Sequence, residues 1–205
     1  MRIAIDGPAA SGKTTLARLL ADSLGFLFVP TGAMYRAVAL ARIRHLGLEE
    51  TSINVHKGGR IYLGGEDVTD QLASPELDRM SSQVAMDQDV RAHLVDVQRD
   101  LAESTDVVME GRDIGTVVLP DAELKLYVWA DPRERAFRRQ RQQGGAVEEV
   151  LAAIMQRDER DTTRDASPLR PADDAHVVDT TNLNPQQVLD VALKLVEEYR
   201  ARKDS

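Results

Sequence analysis

The 205-residue chain has no cysteine, which removes disulfides, thiol nucleophiles and cysteine-type zinc sites in one step. Histidine is nearly as scarce. His45, His56, His93 and His176 lie far apart without HExxH or related spacing, so neither a histidine metal site nor a Ser–His pair has motif support. Positive charge is in deficit, with 26 Lys and Arg against 34 Asp and Glu and a net charge of −8, which argues against a general duplex-binding surface. No nucleic-acid partner is expected. There is no run of about 18 apolar residues and no charged-then-apolar leader, so export and lipid anchoring are not expected and a cytoplasmic protein is.

What is present is ordinary globular material, 42% hydrophobic and 29% charged, in a length that accommodates one domain with at most a small insert. Lysine supplies only 5 of the basic residues and arginine 21. The planar guanidinium pairs two-by-two with phosphate oxygens, so this bias suits phosphate chemistry that is met locally.

Residues 2–6 (RIAID) read as a β-strand ended by Gly7-Pro8, and Leu16, Leu19, Leu20 and Leu24 then recur at helical spacing until Gly25. A second apolar run at 26–29 follows, and Thr31-Gly32 leads into an amphipathic stretch from Ala33 to about His45. Residues 47–75 change character: glycine pairs break short runs at 52–56 and 60–63 into small antiparallel strands, an insert. Ser74-Pro75 opens a helix that runs to about Glu103 with a break near Asp87. Strands of the buried type follow at 106–109 and 123–129. Asp131-Pro132 opens a helix ending near Gly144-Gly145, another spans Val147 to about Arg164, a fifth core strand lies at 175–179, and Asn184-Pro185 caps a final helix. Strands alternating with helices predict an α/β fold, a mainly parallel five-stranded sheet covered on both faces, with its ligand crevice at the carboxyl ends of the strands.

Gly7-Pro8-Ala9-Ala10-Ser11-Gly12-Lys13-Thr14 fits G-x-x-x-x-G-K-[ST] at every fixed position, between a predicted strand and a predicted helix. Glycines there let backbone N–H groups turn inward, the helix N-terminus adds positive potential, Lys13 reaches the terminal phosphates and the Thr14 hydroxyl ligates Mg²⁺. A guanine-nucleotide switch is disfavoured, because no Asn-Lys-x-Asp occurs and the only D-x-x-G, Asp22 to Gly25, sits at a helix end. A kinase for a small acceptor and a non-catalytic ATP-binding module both stay open on the loop alone.

Two more segments sit at strand ends: Thr31-Gly-Ala-Met-Tyr35-Arg36, and Glu110-Gly-Arg112-Asp113-Ile-Gly-Thr116. A third, 157–164, puts Arg157, Asp161 and Arg164 at i, i+4 and i+7 on one helix face. The set GPAASGKTT, TGAMYR, SQVAMDQDVR, EGRDIGTVVLPDA, RDERDTTRDASPL and DTTNL resembles the bacterial cytidylate kinase family over nearly the whole chain. The resemblance implies a single nucleoside monophosphate kinase domain over 1–205, with a nucleotide-binding insert at 47–75 and a mobile lid at about 131–164. Its reaction would carry the γ-phosphoryl of ATP onto CMP or dCMP with Mg²⁺ bound, in a chain acting as a monomer without membrane or nucleic-acid partners.

By position, the resemblance gives the ATP site to Gly7 through Thr15, including Ala9, Ala10, Ser11 and Gly12, and the acceptor's α-phosphate to Arg36, Arg112 and Arg164. Lys13, Arg112 and Arg164 would be catalytic. Ser82, Arg91 and Asp113 would read cytosine, whose N4 amino group donates while N3 and O2 accept. Tyr35 would pack near the nucleoside, and Arg157 and Asp161 would reach the ribose. Thr31 stands where the family often has Ser and keeps the hydroxyl on the substrate side; Glu110 stands where Asp is frequent. Arg133, Arg135, Arg138, Arg139 and Arg141 would belong to the lid, hinged at Gly144-Gly145.

Overall fold

A computed structural model describes residues 1–47, 52–164 and 167–203. β1 (Arg2–Asp6) leads through the glycine-rich loop into α1 (Lys13–Leu24), which Gly25 closes in the left-handed conformation at φ 71°. β2 (Leu27–Pro30) and α2 (Thr31–Ile43) follow. Here the expectation needs correction: Thr31-Gly32 is the first turn of α2 and no separate lead-in loop exists. The Thr31 hydroxyl, buried, donates to Glu110 O at 2.8 Å, and this tertiary bond holds the turn despite the glycine.

The insert comprises β3 (Ile53–His56), β4 (Arg60–Leu63) and β5 (Glu66–Asp67), an antiparallel three-stranded sheet. β5 has no apolar alternation and was not expected; its residues pair with Tyr62 and Leu63 across a two-glycine turn at Gly64 and Gly65. The predicted break near Asp87 is real. α3 (Pro75–Val84) starts at Ser74, whose Oγ accepts the Leu77 N–H, and α4 (Gln88–Ser104) starts at Asp87, whose carboxylate accepts the N–H groups of Asp89 and Val90.

The remaining elements are β6 (Val107–Glu110), β7 (Leu124–Trp129), α5 (Pro132–Gln143), α6 (Val147–Thr163), β8 (His176–Asp179) and α7 (Pro185–Lys203). Between β6 and β7, Ile114–Val118 forms a π-helical turn, although the residues there carry no helical pattern.

The main sheet runs β2-β6-β1-β7-β8, and every pairing is parallel. Side chains alternate across it. Ala4, Val29, Val107 and Met109 face a core built with α2, α3, α4 and the insert. Ile3, Ile5, Phe28, Val108, Leu126 and Val128 face a second core with α1 and α7. Burial of each large aliphatic chain contributes about 1.5–3 kcal/mol, and together the two cores fix the sheet that carries the site. All the loops that leave carboxyl ends of strands therefore open on one edge, and that edge receives α5 and α6.

Candidate active site

The chain leaves β1 through Gly7 at φ 149°, and a Cβ at that position would lie 2.1 Å from Val128 O of the neighbouring β7. Only glycine fits there. Ala10 at φ 58° and Gly12 at φ 94° continue the turn into α1. Two arginines of α5 pin the loop from outside. Arg135, 3% exposed, donates from Nη1 to Ala9 O at 3.2 Å and to Asp158 Oδ2 at 2.5 Å, and from Nε to Ala130 O at 3.0 Å. Arg138 donates to Thr180 Oγ1 at 3.0 Å and Thr180 O at 2.6 Å, and the Thr180 hydroxyl in turn donates to Ser11 O at 2.9 Å. In a trans peptide the N–H opposes the C=O, so carbonyls of Ala9 and Ser11 held outward turn the N–H groups of Ala10 and Gly12 inward.

Lys13 is buried, and its ammonium donates to Pro8 O at 2.8 Å. Burial, reinforced by the charge of Arg112, lowers its pKa to about 7. Asp6, at the foot of the loop, accepts the N–H groups of Ile114 at 2.8 Å and Gly115 at 2.7 Å, and burial raises its pKa to about 6. Thr14 is exposed beside them and donates from Oγ1 to Glu110 Oε1 at 3.1 Å.

The segment after β6 folds tightly: a Cβ on Gly111 would meet Ile114 Cδ1 at 2.6 Å and Thr31 Oγ1 at 2.8 Å. This closeness fixes where Arg112 and Asp113 emerge. Arg112 donates from Nε to Asp161 Oδ2 at 2.9 Å. Asp113, buried, accepts a short hydrogen bond from Arg91 Nη2 and lies 3.7 Å from Arg164 Nη2, while Arg91 Nη1 donates to Tyr35 Oη at 3.4 Å. Arg36 donates to Asp78 Oδ1 at 3.3 Å, and Arg139 Nη2 donates to Asp78 Oδ2 at 2.6 Å.

α6 ends at Thr163, so Arg164 does not share a helix face with Arg157 and Asp161 as expected. Arg164 is extended, at ψ 139°, and donates from Nε to Ser167 O at 2.5 Å, which turns its Nη2 end back toward Asp113. Ser82 is drawn to its own helix, donating to Asp78 O at 3.4 Å. Thus Tyr35, Arg91, Asp113 and Arg164 form one connected group, and Arg112 with Asp161 another. Ser82 joins neither by a hydrogen bond among the described residues.

Three buried guanidinium nitrogens, Arg36 Nε, Arg157 Nε and Arg164 Nη2, have no hydrogen-bond partner among the described residues. Burial holds the Arg157 and Arg164 pKa values below the usual arginine range. Unspent cationic donors on several sides of one cleft are costly in a finished core but suited to an anion. No group of three or more His, Cys, Asp or Glu capable of holding a metal occurs among the described residues. Magnesium keeps water and substrate phosphate in its shell and needs only one or two hard protein oxygens, so Thr14 Oγ1 beside the Glu110 carboxylate fits it.

The sequence did not single out Asp6, Asp78, Asp158 or Thr180, and it left the roles of Arg135, Arg138 and Arg139 open. Asp6 adjoins the glycine loop, which is the only local hint. The other contacts join residues far apart in the chain, and no spacing rule encodes them.

A glycine-rich phosphate loop at the edge of a parallel sheet, facing an arginine-lined cleft, defines the class: a P-loop phosphotransferase. The family model described as cytidylate kinase matches residues 3–198. Curated cytidylate kinases from Thermotoga maritima and Pelotomaculum thermopropionicum are each 45% identical to this chain. The first match covers 96% of this chain and 97% of the relative, the second 97% and 96%. A solved structure of an uncharacterized protein from Eubacterium ventriosum shares the fold, with a TM-score of 0.58 at 14% identity over 96% of this chain and 98% of that one. The chain belongs to the cytidylate kinase family and is a nucleoside monophosphate kinase.

Proposed function

We propose that the site transfers the γ-phosphoryl group of ATP to CMP and to dCMP, giving ADP and CDP or dCDP. Membership of the cytidylate kinase family carries the CMP reaction. The observation that supports an acceptor phosphate in the second half-site is the set of unspent buried donors on Arg36, Arg157 and Arg164.

ATP phosphates lie along the loop from Gly7 to Thr15, against inward N–H groups, with Lys13 released from Pro8 O onto the terminal phosphates. Thr14 and Glu110 would hold Mg²⁺, which when bound neutralises charge on the β- and γ-oxygens. Arg36, Arg112 and Arg164 grip the α-phosphate of the acceptor. Asp161, which anchors Arg112, together with Arg157 flanks the ribose. Tyr35 packs against the nucleoside, Thr31 lines the substrate side, and Asp113 accepts from the cytosine N4 amino group. Arg91 is oriented by Asp113 and serves the acceptor atoms of the base, with Ser82 as a further contact after rotation away from Asp78 O.

In the chemical step an α-phosphate oxygen of CMP forms the new bond to the γ-phosphorus as the bond to the β–γ bridging oxygen breaks, and ADP leaves with that electron pair. The acceptor phosphate is already ionised near pH 7, so the protein supplies alignment and cationic stabilisation, with no nucleophilic side chain. Closure of the α5–α6 region as a lid, turning at Gly144 and Gly145, excludes water. We place the reaction in the cytoplasm, in a chain acting as a monomer without nucleic-acid or membrane partners. No helix among the described residues is long and apolar enough to cross a membrane.

The test is ADP formation from ATP and Mg²⁺ with CMP, dCMP, UMP and AMP offered in parallel. CMP and dCMP should turn over well above the others. Equal rates with UMP would overturn the base reader, and acceptor-independent turnover would overturn the acceptor site.

A further inference from the structure

Asp78 stands on α3, on the acceptor side, and its two carboxylate oxygens go to different walls of the cleft. Oδ1 takes Arg36 of α2 at 3.3 Å, and Oδ2 takes Arg139 of α5 at 2.6 Å. The partners are 42 and 61 residues away in sequence, so the bridge joins separate elements and stiffens no single helix. Arg157, whose Nε has no hydrogen-bond partner among the described residues, lies within electrostatic reach of both Asp78 and Arg139. Arg36 and Arg139 thus share one carboxylate as counter-charge, and Arg157 stands in the field of both Asp78 and Asp161. Without Asp78, Arg36 and Arg139 would repel each other and swing toward solvent, because each is a long side chain with rotamer freedom to regain.

We propose that Asp78 is a positioning residue for phosphoryl transfer: it seats Arg36 and Arg139, from opposite walls of the cleft, side by side at the place where acceptor and donor phosphates meet. This rests on the reading of Arg36 as an acceptor-phosphate ligand and adds two things to it. Arg139 becomes the guanidinium of α5 that faces the transferred group, and Asp78 becomes the residue that couples movement of α5 to the acceptor arm. Asp78 touches neither substrate; it acts through the two arginines.

The experiment compares wild type, Asp78→Asn, Asp78→Glu, Arg139→Ala, the Asp78→Asn/Arg139→Ala pair and Arg36→Ala, with KM for CMP, kcat and melting temperature measured for each. Asp78→Asn keeps the shape and removes the charge, so KM for CMP should rise about tenfold and kcat should fall by a similar factor. Asp78→Glu should recover part of both. The double variant should be no worse than the poorer single, because both substitutions break one bridge. Melting temperature should stay within about 3 °C, because the pairs are partly exposed.

A fall in KM for CMP with Asp78→Asn would mean that Asp78 competes with the phosphate, and would overturn the proposal. So would a lowered melting temperature with unchanged kinetics, or additive effects in the double variant. Arg36→Ala separates the two levels. If it leaves KM for CMP unchanged, the acceptor-site reading itself fails; if it raises KM while Asp78→Asn does nothing, only the role of Asp78 fails.

Discussion

The carboxylate of Asp6 accepts the N–H of Gly115 at 2.7 Å across 109 residues of sequence. That bond ties the foot of the glycine-rich loop to the turn that carries Arg112 and Asp113, so the proposed donor and acceptor halves share a rigid joint. A Cβ on Gly115 would lie 3.4 Å from Asp6 Oδ2 and 3.2 Å from Lys125 Cδ, so the backbone approaches closely there as well.

The joint has a pH signature. Burial raises the Asp6 pKa from 3.8 to about 6, so the folded protein binds this proton more tightly than the unfolded chain does. The contribution of Asp6 to stability is therefore greatest below pH 4 and declines as pH rises toward 6. Urea unfolding of wild type and Asp6→Asn from pH 4 to 7 isolates it. The stability difference, wild type minus variant, should shrink with rising pH and level off above about pH 6; a difference that grows over that range would refute the assignment.

Lys13 titrates in the opposite sense. With its pKa lowered to about 7, much of it is neutral at pH 8, and phosphates that favour the ammonium must draw a proton in. ATP binding at pH 8 should take up a fraction of a proton, read by calorimetry in buffers of different ionisation enthalpy, and affinity should weaken as pH climbs above 7. Lys13→Ala should abolish that uptake and cut kcat by about 10³-fold or more while the protein still folds. Normal turnover in this variant is the result that would count against the loop's role.

Gly7→Ala should be among the most damaging single substitutions. The added methyl meets Val128 O at 2.1 Å and a backbone at φ 149° that alanine resists. We expect about 3 kcal/mol or more lost in urea unfolding and no detectable ATP binding. Gly25→Ala is the control: its φ of 71° is also strained, but no atom lies within 4 Å, so about 1 kcal/mol should be lost and ATP binding retained.

Base preference should respond to Asp113→Asn. The carboxylate can only accept, which suits the N4 amino group of cytosine and opposes the O4 of uracil. An amide can turn to donate, so the CMP-to-UMP ratio of kcat/KM should fall at least tenfold. The ratio is the quantity to follow, since loss of the Arg91 and Arg164 partners will lower both rates.

The sequence was most informative where the backbone itself does the work. Gly7, Gly12 and Lys13 are dictated by sterics and charge within eight residues, and the five core strands follow from short, largely apolar runs between turn signals. β5 escaped because Glu66-Asp67 is charged, and what holds it is pairing with β4 together with side-chain bonds from Arg44 and Gln71 to Glu66 and from Arg60 to Asp67. The turn at 114–118 escaped because Ile-Gly-Thr-Val-Val favours extended backbone, and what bends it is the pull of Asp6 on two amides. Spacing alone puts Arg164 on the helix face of Arg157 and Asp161, yet its bond to Ser167 O turns it off the end of α6. The contacts of Arg135, Arg138 and Asp78 span 42 to 127 residues wherever they reach the loop, β8's exit or the opposite wall, and periodicity cannot register pairs so distant.

The main sheet also divides heredity. Its two faces feed separate apolar clusters, one shared with α2, α3 and α4, the other with α1 and α7. A methyl lost or gained under the acceptor arm is accommodated by neighbours on that face, and the chains beneath the phosphate loop need not answer it. Descendants of such a chain can accumulate substitutions on the α2–α4 face at one pace and on the α1–α7 face at another, so the residues around Arg36 and Asp113 can change without the loop from Gly7 to Lys13 being rebuilt.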